Sequence, residues 1–270
     1  MASGVTAAEQ WKRYDGSIYM RDLDGGDAAI SEDTLNGLAA GHLSFKVKIG
    51  RGNWLQDRIR GYERDLWAIR SVHETAGKGG HVLVDANNYY TPEESVSLVR
   101  DTAPIKIHWM EEMFKEDRIN WEGYRELRKT IRELRVPTLL ADGESGRGDG
   151  DLLDLIKEGI VQVSQPDIRT LGPLMFREYA EQIRPFNALI APHAWAKHIG
   201  VLEICLLGMV VPNFAMVEDC RLASDIVKFP GLRVRNGLMT LEPAPGLGIV
   251  IDETEYRKQC APQEKIVRMS

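Results

Sequence analysis

The sequence predicts an α/β fold, a single (β/α)8 barrel, on three observations. Short apolar runs alternate with amphipathic helices from about residue 15 to about residue 225, which is how successive βα units read in sequence. The chain has 270 residues, and one such barrel occupies about 250. Charged residues recur one βα unit apart at the ends of the expected strands, the end where a barrel gathers its active site.

In chain order, Ser17 to Met20 is the expected first strand, followed by a helix from Ala28 to Ala39 and a second strand from His42 to Ile49. Leu55, Ile59, Tyr62, Leu66 and Ile69 recur at helical spacing and predict a buried stripe, ended by Gly77, Gly79 and Gly80. His81 to Ala86 is the third strand, and Thr91, Pro92 and Glu94 spell a capping box with proline at the first helical position. Further strands are expected at Ile105 to Met110, Thr138 to Ala141, Ile160 to Val163, Ala188 to Ile190 and Phe214 to Val217. The helices between them fall near 121–135, 150–157, 173–184 and 195–207. Residues 1–14 are expected as an N-terminal tail, 15–228 as the catalytic barrel and 229–270 as a closing segment.

Composition narrows the function. A hydrophobic share of 43% is enough to build a large core. A net charge of -6 without a Lys/Arg cluster argues against nucleic acid and for a small-molecule ligand. The start, MASGVTAAEQ, has no basic and apolar leader, and the most apolar run, Val201 to Val211, is short and holds Glu203, so neither a signal peptide nor a membrane span is expected. Cys205, Cys220 and Cys260 form no CxxC pair, which fits unpaired thiols in a cytoplasmic protein.

Lys46 and Lys48, Asp85, Glu111, Glu144, Asp167, His193 and Glu218 each fall at or just after the end of an expected strand. A lone acid there is often a helix cap, but Thr91, Asn120 and Asp149 or Asp151 are better placed to cap the helices that follow. Asp85, Glu111 and Glu144 are thereby left to offer hard oxygen ligands from three sides, which suits Mg2+. Lys46 and Lys48 flank Val47 on a strand, so both point into the barrel. Their repulsion and burial are expected to lower the pKa of Lys48, the candidate base. Opposite them, His193 is expected to face the same space with Asp167 fixing its tautomer. Glu218 is expected either to donate a hydrogen bond when protonated or to pair with Arg221. His42, His73, His81, His108 and His198 are read as structural.

The ordered set FKVKIG, VDANN, WMEEMF, ADGES, PD, APHAW and VED resembles the barrel of the mandelate racemase subgroup of the enolase superfamily, over about residues 15 to 225. The resemblance implies a carboxylate substrate bound to Mg2+ held by Asp85, Glu111 and Glu144. It also implies proton abstraction beside that carboxylate, with Lys46, Lys48, Asp167, His193 and Glu218 completing the site. An acid-sugar dehydratase is the expected activity; racemisation or epimerisation of a 2-hydroxy acid is the alternative. A barrel inactive without a capping partner and an aldolase using Lys48 as a Schiff base are the remaining ones. Two departures stand out. Met113 occupies a position that is usually proline in relatives, which makes Glu112 an alternative ligand, and the capping domain that precedes the barrel in relatives is not expected here. A homo-oligomer is expected, with a separate capping chain as the alternative.

Overall fold

The computed structural model describes residues 5–10, 26–50, 57–144, 150–194, 198–219, 221 and 223–263. Strands and helices alternate: β1 (Val5–Gln10), α1 (Gly26–Ala39), β2 (Ser44–Lys48), α2 (Arg58–Ala76), β3 (His81–Asp85), α3 (Pro92–Asp101), β4 (Trp109–Glu111) and α4 (Trp121–Glu133). The second half continues with β5 (Leu139–Asp142), α5 (Gly150–Lys157), β6 (Val163–Ser164), α6 (Ile168–Ile183), β7 (Leu189–Ile190), α7 (His198–Gly208) and β8 (Val217–Asp219). Strands β1 to β7 pair in order and in parallel. A bridge from Ile190 to Phe214 leads into β8, and β8 pairs with β1, which closes the ring.

The first strand is the main difference from the sequence reading. Val5–Gln10, within the residues expected to be a tail, occupies the place between β8 and β2. Ser17 to Met20, where that strand was expected, lies outside the described residues. Five of the six residues of VTAAEQ are alanine or polar, so periodicity alone does not mark it. The C-terminal segment, expected as a closing segment, holds strands and a helix of its own. β9 (Val227–Lys228) pairs with β12 (Val250–Ile251), while β10 (Leu232–Arg235) and β11 (Leu238–Leu241) form a hairpin that extends β1 antiparallel. A last helix, α8 (Glu253–Gln259), starts at the Asp252 cap.

Alternation along each strand separates two cores. Phe45, Val47, Val82 and Val84 face the surrounding helices. Leu83, Trp109, Ala141, Val163, Ala191 and Met216 fill the barrel interior below the site. Helix α3 begins as the sequence predicts, with the reciprocal Thr91–Glu94 box and Pro92 at its start. Helix α2 turns further than its pattern implies. Its buried face is Gly61, Asp65, Ala68, Ile69 and Val72, and Ile59 is 74% exposed. Tyr62 and Leu66 are half-buried and pack against the core from its edge, and the Tyr62 hydroxyl donates to Asp101 of α3 at 2.7 Å. No helix among the described residues is long and apolar enough to cross a membrane.

Candidate active site

Strand register assembles half of the site. Lys48 lies beside Asp85 across β2 and β3, and Asp85 beside Glu111 across β3 and β4, so three chemically active side chains share one layer. Glu144 follows β5 after Gly143, whose φ of 114° is disfavoured for any residue with a Cβ. A Cβ there would also stand 2.7 Å from Leu152 Cδ2, so the turn that brings Glu144 round depends on glycine. Carboxylate oxygens of Asp85, Glu111 and Glu144 all lie within 4.8 Å of one another.

The two lysines are bound into this cluster and do not merely repel each other. Lys46 Nζ lies 2.5 Å from Glu111 Oε1, 2.7 Å from Glu218 Oε1 and 3.4 Å from Asp85 Oδ2. Lys48 donates to Asp85 Oδ2, and to Asn87 Oδ1 at 3.0 Å. Burial is the strongest single influence and works to lower the pKa of Lys48, but the charges of Asp85, Glu144 and Glu111 together outweigh burial and the smaller effect of Lys46, and the value lies above the ordinary range. Lys46 is likewise raised, burial being outweighed by Glu111, Glu218 and Asp85. The expectation of a depressed Lys48 pKa is therefore overturned in the metal-free cluster, because four carboxylates stand around two ammonium groups.

Among the acids, burial would raise Asp85, yet Lys48 and Lys46 hold its carboxyl well below the usual range. Burial raises Glu111 well above that range, Asp85 and Glu218 adding to the effect against Lys46. Glu218 is lowered despite burial, by Lys46 and then His193, and it accepts from the Ala194 amide at 2.5 Å. Here it accepts from the Ala194 amide and pairs with Lys46. Arg221 donates to Asp33 at 2.9 Å.

On the other side, His193 Nδ1 lies 3.0 Å from Asp167 Oδ2, and His193 Nε2 lies 3.5 Å from Glu144 Oε2. Asp167 is also the N-cap of α6, accepting from the Arg169 amide at 2.8 Å. The capping role that sequence reasoning denied to Asp85, Glu111 and Glu144 thus falls to Asp167, without displacing its bond to His193. Asn120 does not cap with its side chain. Its amide donates to Lys115 O and Asp117 Oδ1. Lys48 thus stands at the Asp85 end of the carboxylate group and His193 at the Glu144 end.

Glu112 is not part of the carboxylate group. It is buried with φ 40°, accepts from Asn87 Nδ2 at 3.0 Å, and is pushed up to about 10 by burial and then by Glu144 and Asp142. The histidines read as structural include His42, whose Nε2 meets Asp219 Oδ2 at 3.2 Å, and His198, stacked on Phe229. Sequence reasoning missed Asn87, Trp109 and Gln165, which hold the carboxylates from behind. Asn87 and Gln165 stand in VDANN and QPD beside predicted site residues, and that adjacency was the available signal.

The residues fit a divalent cation by charge and by donor type. Asp85, Glu111, Glu144 and Glu218 set against Lys46 and Lys48 leave two negative charges when all are ionised. The buried Glu144 Oε2 accepts no hydrogen bond among the described residues. All three candidate ligands are hard oxygens, the donors that Mg2+ prefers.

A family model described as Enolase C-terminal domain-like matches residues 31–255. D-galactarolactone cycloisomerase of Agrobacterium fabrum is 26% identical over 235 residues, 81% of this chain and 58% of that protein. Arabinonate dehydratase of Saccharolobus solfataricus is 22% identical over 222 residues, 81% and 55% of the two. The chain thus spans little more than half the length of these curated relatives. A galacturonate dehydratase from Geobacillus sp., solved with D-galacturonate and 5-keto-4-deoxy-D-galacturonate, superposes with TM-score 0.86 at 28% identity, covering 95% of this chain and 69% of that one. A mandelate racemase/muconate lactonizing protein from Geobacillus sp. Y412MC10, complexed with magnesium and tartrate, gives 0.87 at 28%, covering 96% and 66%.

Proposed function

Because the chain belongs to the enolase C-terminal domain-like family, we propose that it is the barrel of a Mg2+-dependent acid-sugar dehydratase. One observation carries the reading: Lys48 and the His193–Asp167 pair stand at opposite ends of the Asp85, Glu111 and Glu144 group. Dehydration beside a carboxylate needs a base for the carbon proton and an acid for the departing hydroxyl. The acid-sugar dehydratases among the relatives and the magnesium in related structures support the same assignment.

Asp85, Glu111 and Glu144 would hold the ion. When bound, Mg2+ supplies positive charge next to the substrate carboxylate and so lowers the cost of removing the neighbouring proton. Of the pair Lys48 and His193, the one facing the carbon proton takes it, and the other delivers a proton to the β-hydroxyl, which leaves as water. The configuration of the substrate selects which does which. Asp167 keeps Nδ1 of His193 occupied, so Nε2 is the nitrogen that exchanges the proton. Lys46, tied to Glu111 and Glu218, holds charge in place and exchanges no proton. An acid sugar as substrate, the cytoplasm as location and assembly into a homo-oligomer or with a capping chain belong to the same proposal.

The test is mass spectrometry of pooled acid sugars and 2-hydroxy acids incubated in D2O with Mg2+ and the chain, with Lys48→Ala and His193→Asn alongside. Loss of water that both variants abolish is the expected result. Deuterium gained without loss of water would replace the dehydratase by an epimerase or racemase using the same two groups. Neither change, in a chain that binds Mg2+ and is supplied with its capping region, would overturn the proposal.

A further inference from the structure

Resting on the magnesium reading above, we infer that Gln165 and Trp109 are positioning residues that aim Glu111 at the ion and set the preference of the site for Mg2+ over larger cations. Glu111 Oε2 accepts from Gln165 Nε2 at 2.8 Å and from Trp109 Nε1 at 3.1 Å, while Oε1 faces Lys46. The carboxylate is thereby held from behind by two neutral donors, which orient it without cancelling the charge it presents forward.

Both donors are rigid. Trp109 is a buried member of the barrel interior on the same strand as Glu111, and Gln165 is buried just after β6. The cost that the fold accepts at Gln165 shows what the amide is oriented for. Its Oε1 is buried and accepts no hydrogen bond among the described residues, a condition native proteins rarely tolerate outside functional sites. Turning the amide over would set that oxygen against the Glu111 carboxylate, so the orientation serves Glu111 and not the glutamine. Among the described residues, neither Asp85 nor Glu144 has such a pair of neutral donors on one oxygen. Asp85 receives the Asn87 amide at 3.0 Å together with the charged Lys48, and Glu144 receives Asn87 Nδ2 at 3.4 Å.

Mg2+ demands near-ideal octahedral geometry, whereas Ca2+ accepts irregular shells. Loosening Glu111 should therefore weaken Mg2+ more than Ca2+. The experiment is calorimetric titration of MgCl2 and of CaCl2 into the full chain, comparing wild type with Gln165→Met and Trp109→Phe, and melting each protein without metal. Groups that orient a metal ligand typically contribute about 10- to 100-fold in affinity. We expect that loss for Mg2+ in each variant, a smaller loss for Ca2+, and a cooperative metal-free melt in Trp109→Phe, lowered only by the ring volume it loses. Unchanged Mg2+ affinity, or losses equal for the two ions, would overturn the inference. Should Gln165→Met fail to fold, Trp109→Phe decides alone, because phenylalanine keeps a ring in the barrel interior and removes the N–H donor, while the metal-free melt reads separately what the lost ring volume costs. A wild type that binds no Mg2+ would overturn the metal reading itself, and with it this inference, an outcome distinct from loss of the positioning role alone.

Discussion

The two sides of the site are built differently. Lys46, Lys48, Asp85 and Glu111 sit on β2, β3 and β4, in continuous register, with backbone hydrogen bonds on both sides. Asp167 and His193 follow β6 and β7, strands of two residues each, and are joined by a single isolated bridge. One is a helix cap and the other stands in a loop. Lys46, Lys48, Asp85 and Glu111 are fixed by strands, Lys48 being the proposed proton carrier of that side, while His193, the proposed proton carrier opposite, is fixed by a side-chain bond to a helix cap. A small octahedral ion tolerates little displacement of its ligands, while a proton donor needs only hydrogen-bond reach of its target.

Substitutions on the strand side should therefore damage binding, fold and rate together. Asp85→Ala removes a ligand and strips the buried Lys48 of its carboxylate. We expect no measurable Mg2+ heat in calorimetry and a loss of about 1–3 kcal/mol in urea unfolding, since buried Lys48 loses its carboxylate partner in the cluster. On the other side the effects should separate. His193→Asn should lower kcat by about 10²- to 10⁴-fold, as loss of a general acid or base does, with Mg2+ affinity nearly unchanged. Equal losses in both would erase the contrast.

Asp167 sharpens it further, having two tasks. Asn caps a helix about as well as Asp, so Asp167→Asn should cost rate and little stability, while Asp167→Ala should cost the same rate and about 1 kcal/mol more in unfolding. Gly172, at φ 72° between the two pieces of α6, offers a control off the chemistry. Gly172→Ala should destabilise by about 1–2 kcal/mol through left-handed backbone strain and leave Mg2+ binding intact.

The smallest effect is a pH dependence. Burial pushes the Cys205 thiol up to about 11. The folded chain then binds that proton more tightly than the unfolded chain does. The contribution is fully present below the ordinary thiol pKa of about 8.5 and is lost as pH rises through the folded value. Cys205→Ala should flatten the alkaline fall in melting temperature between those limits; an unchanged slope would remove Cys205 from the account.

Most of the barrel was legible because parallel strands covered by helices read as apolar runs at regular intervals. HVLVD and the Thr91 box needed nothing beyond their own residues. The first strand escaped because VTAAEQ lacks apolar character and takes its place only by pairing with β2 and β8. The helix stripe at Ile59 misled because apolar spacing marks a face without saying which neighbour covers it.

By itself the sequence determined the order of strands and helices from β2 to β8, and the placing of chemical groups at or just after the end of each of those strands. Those are local properties, written in periodicity and in position after an apolar run. Only the tertiary structure decided how the groups meet: that Lys46 is locked among three carboxylates, that Asp167 both caps a helix and holds His193, and that Trp109 and Gln165 stand behind Glu111. Charge balance and hydrogen-bond direction depend on atoms brought together from strands that lie tens of residues apart, and nothing in the spacing along one strand encodes them.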